Sequence, residues 1–182
     1  MLNSLKKSVR SNRKLTLFLI RNYGFLETQM NQLIGTFPPF LRYLFYKFLF
    51  RQFGKGVYIG ENCYFRYPWR IRIGDNVSIG SGCQFYPSSH AEQSTISLND
   101  NSILAPNVII YGAGHPVRNP QSGDVWGAVT ISENAYIGAS SVIRYGVTVG
   151  KNSTVGMGSV VVKSLPDEGI FGGNPAKQLW VD

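Results

Sequence analysis

Residues 131–163 read ISENAYIGASSVIRYGVTVGKNSTVGMGSVVVK, with an aliphatic residue at every sixth place: Ile131, Ile137, Ile143, Val149, Val155 and Val161. A period of six fits neither the 3.6 of an α-helix nor the plain alternation of a long strand. Working outward toward the N-terminus, the same register returns at Leu98, Leu104 and Ile110, at Ile73, Ile79 and Phe85, and at Ile59 and Phe65. Four places after these anchors stands a small residue: Cys63, Val77, Cys83, Ser102, Val108, Ala135, Ser141, Val147, Ser153 and Ser159. Three places after them comes Asn or Gly, at Asn62, Asn76, Gly82, Asn101, Asn107, Asn134, Gly146, Asn152 and Gly158. These are the residues that accept a positive φ in a tight turn.

The pattern predicts a chain that bends every six residues, pointing one bulky side chain inward on each short strand. Three such faces close a triangular coil, and stacked coils pair their backbones and align their aliphatics into one core. Burying each anchor contributes about 1.5–3 kcal/mol, enough in sum to drive folding. The expected fold is mainly β, a parallel β-helix over residues 56–182.

Two breaks interrupt the register. Phe85 and Leu98 are thirteen apart, and Ile110 and Ile131 are twenty-one apart. Inserted residues in a solenoid leave the stack as loops, so segments 86–97 and 112–129 are expected to protrude. They hold both histidines of the chain, His90 and His115.

The chain has 182 residues and a net charge of +8. Residues 1–55 carry ten Lys or Arg against one acid, Glu27, whereas residues 56–182 carry eight bases and nine acids. The basic character therefore belongs to an N-terminal appendage, which argues against a nucleic-acid groove on the main domain and for contact with an anionic membrane face. The apolar run at 15–20 stops at Arg21, too short to span a bilayer. These features predict a cytoplasmic protein, peripheral at the inner face of a membrane.

Residues 15–53 read as helical, with Leu26, Met30, Leu33 and Ile34 at helical spacing. Pro38-Pro39 separates them from a second helix running from Phe40 to about Phe53. In that second helix Phe40, Leu41, Leu44, Phe45, Phe48 and Leu49 form an apolar face beside Lys47 and Arg51. It can cap the open end of the β-helix, lie on a membrane, or do both. Cys63 and Cys83 occupy small inward positions and read as buried thiols. Two histidines and no Cys/His cluster leave no visible metal site.

The repeated aliphatic-Gly-x-x-small-x pattern resembles the hexapeptide-repeat acyltransferases, from about residue 56 to the end. The resemblance implies a left-handed β-helix and a homotrimer. The segment Leu104-Ala105-Pro106-Asn107-Val108 followed by Gly112-Ala113-Gly114-His115-Pro116-Val117 is similar to the part of the galactoside and maltose acetyltransferases that bears their catalytic His. Carried across, His115 becomes the general base that takes the proton of an acceptor hydroxyl as it attacks the thioester of acetyl-CoA, a co-substrate used without a metal. For a lone loop histidine the competing reading is a structural hydrogen bond, and His90 is the competing base.

The same resemblance places backbone of Ala139 and Met157 on the pantetheine arm. It puts Val162 and Lys163 along the cofactor groove, and Lys163 and Lys177 near the CoA phosphates, where a surface role is the alternative. Gln84 and Tyr86 stand where such enzymes tend to carry a substrate-binding Asn. With His90, and with Trp126, which can stack on a sugar or pack its own loop, they are the candidate acceptor-binding residues. The implied activity is O-acetylation of a sugar, in capsule or O-antigen polysaccharide. The alternatives are transfer to an amino sugar, a serine or an antibiotic, or a β-helix that scaffolds without catalysis.

Overall fold

The computed structural model describes residues 13–88, 93–116 and 118–179. Two helices, α1 (Arg13–Gly35) and α2 (Pro39–Leu49), precede a parallel β-helix whose short strands stack into three flat faces. Face A stacks Gln52–Phe53, Ile71–Ile73, Ile96–Leu98, Val129–Ile131 and Thr148–Val149. Face B stacks Tyr58–Ile59, Ser78–Ile79, Ile103–Leu104, Tyr136–Ile137, Thr154–Val155 and Ile170–Gly172. Face C stacks Tyr64–Phe65, Gln84–Tyr86, Ile109–Tyr111, Val142–Ile143 and Val160–Val161. The strand Lys177–Gln178 folds back antiparallel on Ile170–Gly172 and closes the C-terminal end.

The six-residue period maps onto this architecture position by position. Every aliphatic or aromatic anchor from Ile59 to Val161 is buried, and so is every small residue four places later. Each Asn or Gly three places after an anchor has a positive φ, from 53° at Asn76 to 74° at Gly82. The left-handed conformation turns each corner, and Asn is the non-glycine residue that adopts it at least cost. Asn side chains also link adjacent coils, as Asn134 Nδ2 donates to Asn152 Oδ1 at 3.0 Å.

The helices close the N-terminal end of the core. Tyr46 of α2 and Phe50 both set their rings edge-on against Phe65, with centroids 5.1 and 4.9 Å away. Helix α1 satisfies the free edge of the first face-C strand. Asn31 accepts from Phe65 N–H at 3.0 Å and donates to Phe65 C=O at 3.3 Å, and the buried Glu27 accepts from Tyr67 N–H at 2.7 Å. An unpaired buried strand edge would cost a hydrogen bond at each group, and these two side chains supply the missing partners.

One expectation for this region needs correction. The second helix ends at Leu49, and Gln52–Phe53 already pair with Arg72–Ile73 as a strand. Much of the apolar face of α2 is outward: Phe40, Leu44 and Phe48 are exposed, while Arg42 and Tyr46 turn inward. Tyr46 packs on the column of phenylalanines, and Arg42 stands 3.4 Å from Glu61. Of the α1 residues, Ile34 is buried and Met30 packs on the core, but Leu26 and Leu33 are exposed. Among the described residues, no helix is long and apolar enough to cross a membrane.

Candidate active site

Three departures from the six-residue register leave the β-helix at one corner, where face C gives way to face A. The longest forms an antiparallel hairpin, Ala113–Gly114 against Val125–Trp126, with Ala113 opposite Trp126 and Gly114 opposite Val125. One further step puts His115 opposite Asp124. His115 Nδ1 lies 3.3 Å from Asp124 Oδ1, and both side chains are open to solvent. With the carboxylate on the Nδ1 side, the proton of a neutral imidazole belongs on Nδ1 and Nε2 keeps its lone pair. That is the tautomer a general base requires.

The hairpin is fixed by what lies under it. A Cβ on Gly114 would come within 2.7 Å of the Tyr145 ring, so a larger residue there would have to displace that ring. Its root is held through Ser94, whose hydroxyl donates to Gly112 C=O and accepts from Ser88 N–H, each at 2.9 Å. Pro87, Ser88 and Ser94, near the ends of the 86–97 segment, are buried, while its centre, residues 89–92, lies outside the described residues. His90 falls outside the described residues.

Beneath the hairpin is a cleft of about 220 Å³ lined by Tyr86, Pro87, Ser88, Tyr111, Ala113 and Asp124, with Arg66 and Tyr67 on its far wall. Tyr86 and Tyr111 occupy the same place in successive coils and stack with centroids 5.2 Å apart. Burial first, and then the neighbouring Tyr111, push the Tyr86 phenol up, so it stays protonated. Its hydroxyl donates to Gln84 Oε1 at 2.6 Å. Gln84 therefore buttresses Tyr86 and is not among the residues lining the cleft. Trp126 is on the hairpin, exposed, and outside that lining.

Arg66 and Tyr67 were missed by the repeat analysis. Phe65 and Ile73 are eight apart, two more than one repeat, and the surplus forms a short 3₁₀ turn over Pro68–Arg70 that brings this pair to the corner. Asp124 was missed because only the hairpin register sets it against His115. Among the described residues, no group of three or more His, Cys, Asp or Glu side chains is placed to hold a metal ion. Cys63 and Cys83 are buried, with thiols donating to Gly80 C=O at 3.2 Å and Ala105 C=O at 3.3 Å. Hydrogen bonding to Cys83, and then burial, push the Cys63 thiol up and leave it unreactive.

The hexapeptide-repeat model described as "Hexapeptide repeat of succinyl-transferase" matches residues 70–111 and 128–163. The structure resembles a maltose O-acetyltransferase from Clostridium difficile 630 with a TM-score of 0.74 at 30% identity, over 85% of this chain and 83% of that one. The chain belongs to the hexapeptide-repeat acyltransferases. Another solved member, the acetyltransferase VCA0836 from Vibrio cholerae in complex with acetyl-CoA, aligns with a TM-score of 0.76 at 25% identity, over 85% and 84% of the two chains. The galactoside O-acetyltransferase of Escherichia coli K12 is 34% identical over 127 residues, 66% of this chain and 62% of that protein. The chain spans 59–62% of the length of the first curated relatives it matches.

In this hexapeptide-repeat acyltransferase the residues expected at the cofactor fall at different corners. Ala139 and Met157 meet where face B passes to face C, since Gly158 N–H donates to Ala139 C=O at 2.8 Å, and Met157 is exposed. Val162 and Lys163 follow the last face-C strand, at the same corner as His115 but nearer the C-terminal end. Lys177 lies on the returning strand opposite Gly172.

Proposed function

We propose that this protein is an acetyl-CoA-dependent O-acetyltransferase acting on a sugar hydroxyl. The observation that carries the reading is the His115–Asp124 pair on the rim of an aromatic cleft, in a fold shared with a maltose O-acetyltransferase and an acetyl-CoA-bound acetyltransferase. His115 Nε2 takes the proton of the acceptor hydroxyl as its oxygen attacks the thioester carbonyl. The tetrahedral intermediate collapses with cleavage of the C–S bond, the imidazolium returns the proton to the departing thiolate, and the products are an acetyl ester and free CoA thiol. Asp124 holds the imidazole in the working tautomer and offsets the charge it gains. Tyr86 and Tyr111 offer a sugar an aromatic wall, with the Tyr111 hydroxyl as donor and the Tyr86 hydroxyl, whose proton goes to Gln84, as acceptor.

Ala139, Met157, Val162, Lys163 and Lys177 are assigned to acetyl-CoA. Their division between two corners of one chain fits a homotrimer, in which one subunit's B–C corner meets the next subunit's C–A corner. The exposed Phe25, Leu26, Phe40, Leu44 and Phe48 beside Lys47 and Arg51 suit peripheral contact with an anionic membrane. Such contact suits an acceptor in surface-polysaccharide synthesis.

The test is thiol release from acetyl-CoA across a panel of mono- and oligosaccharides, together with calorimetric titration of CoA. Acceptor-stimulated release supports the proposal, and no release together with no CoA binding sinks it. A second prediction concerns Asp124. Asp124→Asn should lower kcat roughly tenfold, a modest loss because the pair is solvated, while KM for acetyl-CoA stays near its original value. Asp124→Glu should recover part of the rate. A fall in KM and kcat together, without recovery by Glu, would assign Asp124 to the architecture of the hairpin alone.

A further inference from the structure

The far wall of the cleft is built at a conformational cost. Tyr67 has φ 48° and ψ 60°, a left-handed conformation that the other corners give mostly to Asn or Gly. An aromatic residue does not adopt it without compensation. The compensation comes from α1. Glu27 receives the Tyr67 N–H at 2.7 Å, and the Tyr67 ring stacks on Tyr23 with centroids 5.5 Å apart. The Tyr23 hydroxyl in turn donates to Glu27 at 2.6 Å. This arrangement holds the Tyr67 ring under the guanidinium of Arg66, whose central carbon lies 5.1 Å from the ring centroid. Arg66 is thus steadied at close range by the π face and phenol of Tyr67, with the buried Glu27 carboxylate behind Tyr67 also acting on it, and the guanidinium lines the cleft.

The cleft has two charged residues in its lining, Arg66 on one wall and Asp124 beside His115 on the other. A planar cation donates single bonds to the hydroxyls of a neutral sugar, but a carboxylate or phosphate accepts two parallel, charge-assisted N–H bonds from it, roughly twice as strong. An acid group placed at the opposite wall would face the Asp124 carboxylate and be repelled. The polarity of the cleft therefore sets a direction: acid toward Arg66, reacting hydroxyl toward His115.

We infer that the acceptor is an anionic sugar whose carboxylate or phosphate is bound by Arg66, with Tyr67 and the α1 residues Glu27 and Tyr23 as the support of that subsite. The inference rests on the transferase reading above and narrows its substrate class.

The test compares methyl glucoside, methyl glucuronide and the 6-phosphate of methyl glucoside as acceptors, with the wild type, Arg66→Gln and Arg66→Lys. The two anionic arms separate carboxylate from phosphate as the group bound. For the wild type, kcat/KM for at least one anionic acceptor should exceed that for the neutral one by tenfold or more, mainly through KM. Arg66→Gln should collapse that ratio toward one, and Arg66→Lys should restore part of it. A neutral acceptor used as well as both anionic ones, or an Arg66→Gln variant that keeps the ratio, overturns the inference. If no acceptor is turned over, saturation-transfer NMR of the same three sugars reads the subsite directly. Anion-selective binding lost in Arg66→Gln then keeps the subsite and rejects only the transferase chemistry, whereas unselective or absent binding rejects the subsite.

Discussion

His115→Ala should lower the rate of acetyl transfer by roughly 10²–10⁴-fold, the contribution of a positioned general base, while CoA titration gives the same affinity as the wild type. The split follows from the geometry. His115 stands on the protruding hairpin and is exposed, so its loss removes no core contact, and a surface substitution of this kind stays within about 0.5 kcal/mol in stability. Thermal unfolding of the variant should accordingly match the wild type. The residual rate would come from holding both substrates together, which a missing base does not abolish. If the part Asp124 plays in proton transfer runs through His115, adding Asp124→Asn to His115→Ala should cost little more with a neutral acceptor. A folded His115→Ala protein that keeps a tenth or more of the wild-type rate would end the base assignment, and a double variant much slower than the single one would give Asp124 a separate role.

The contrast between core and site explains what could be read from the sequence. The β-helix repeats one physical problem at each corner, so Ile137, Ala135 and Asn134 announce their burial and φ by position alone. The hairpin around His115 was located because an insertion breaks that period. Its partner was not: Asp124 is nine residues from His115 across a loop, and only the antiparallel register of Gly114 with Val125 makes them neighbours. Arg66 and Tyr67 belong to an excursion of two residues, small enough to pass as a loose repeat, although the eight-residue gap from Phe65 to Ile73 marked it. The orientation of α2 was open for a different reason. Apolar periodicity identifies a face but not the side on which the protein lies, and the inner position went to Tyr46, which packs on the aromatic column of the first coil, together with Arg42. Glu27, the lone acid of the N-terminal region, gave no sign in sequence that it would pin Tyr67.

Phe85→Ala should destabilise the protein by about 3–5 kcal/mol, a large part of the roughly 5–15 kcal/mol that holds a domain folded. Phe85 is fully buried and stacks on Phe65 with centroids 4.8 Å apart, and Phe65 meets Tyr46 and Phe50 at the capping helix. The aromatic column therefore joins the cap to the first coils, and truncating Phe85, between Phe65 and Ile110 of the neighbouring coils, leaves a cavity that packed neighbours on both sides cannot fill. In a solenoid each coil contacts only the next, so the damage should stay in the N-terminal coils. Hydrogen exchange should show the loss at Tyr64–Phe65 and Gln84–Tyr86, with the amides of Thr154–Val155 little changed. Urea unfolding of Phe65→Ala, Phe85→Ala and the double variant measures the coupling: rings in contact should give a double loss smaller than the combined single losses. Gln84 and Tyr86 flank Phe85 on the same strand, Tyr86 in the cleft wall and Gln84 holding its hydroxyl. The variant should therefore lose sugar affinity at temperatures where its C-terminal coils, and with them CoA binding, remain intact. A loss below about 1 kcal/mol, or protection that falls equally along the whole chain, would contradict a column that transmits order from the cap to the cleft.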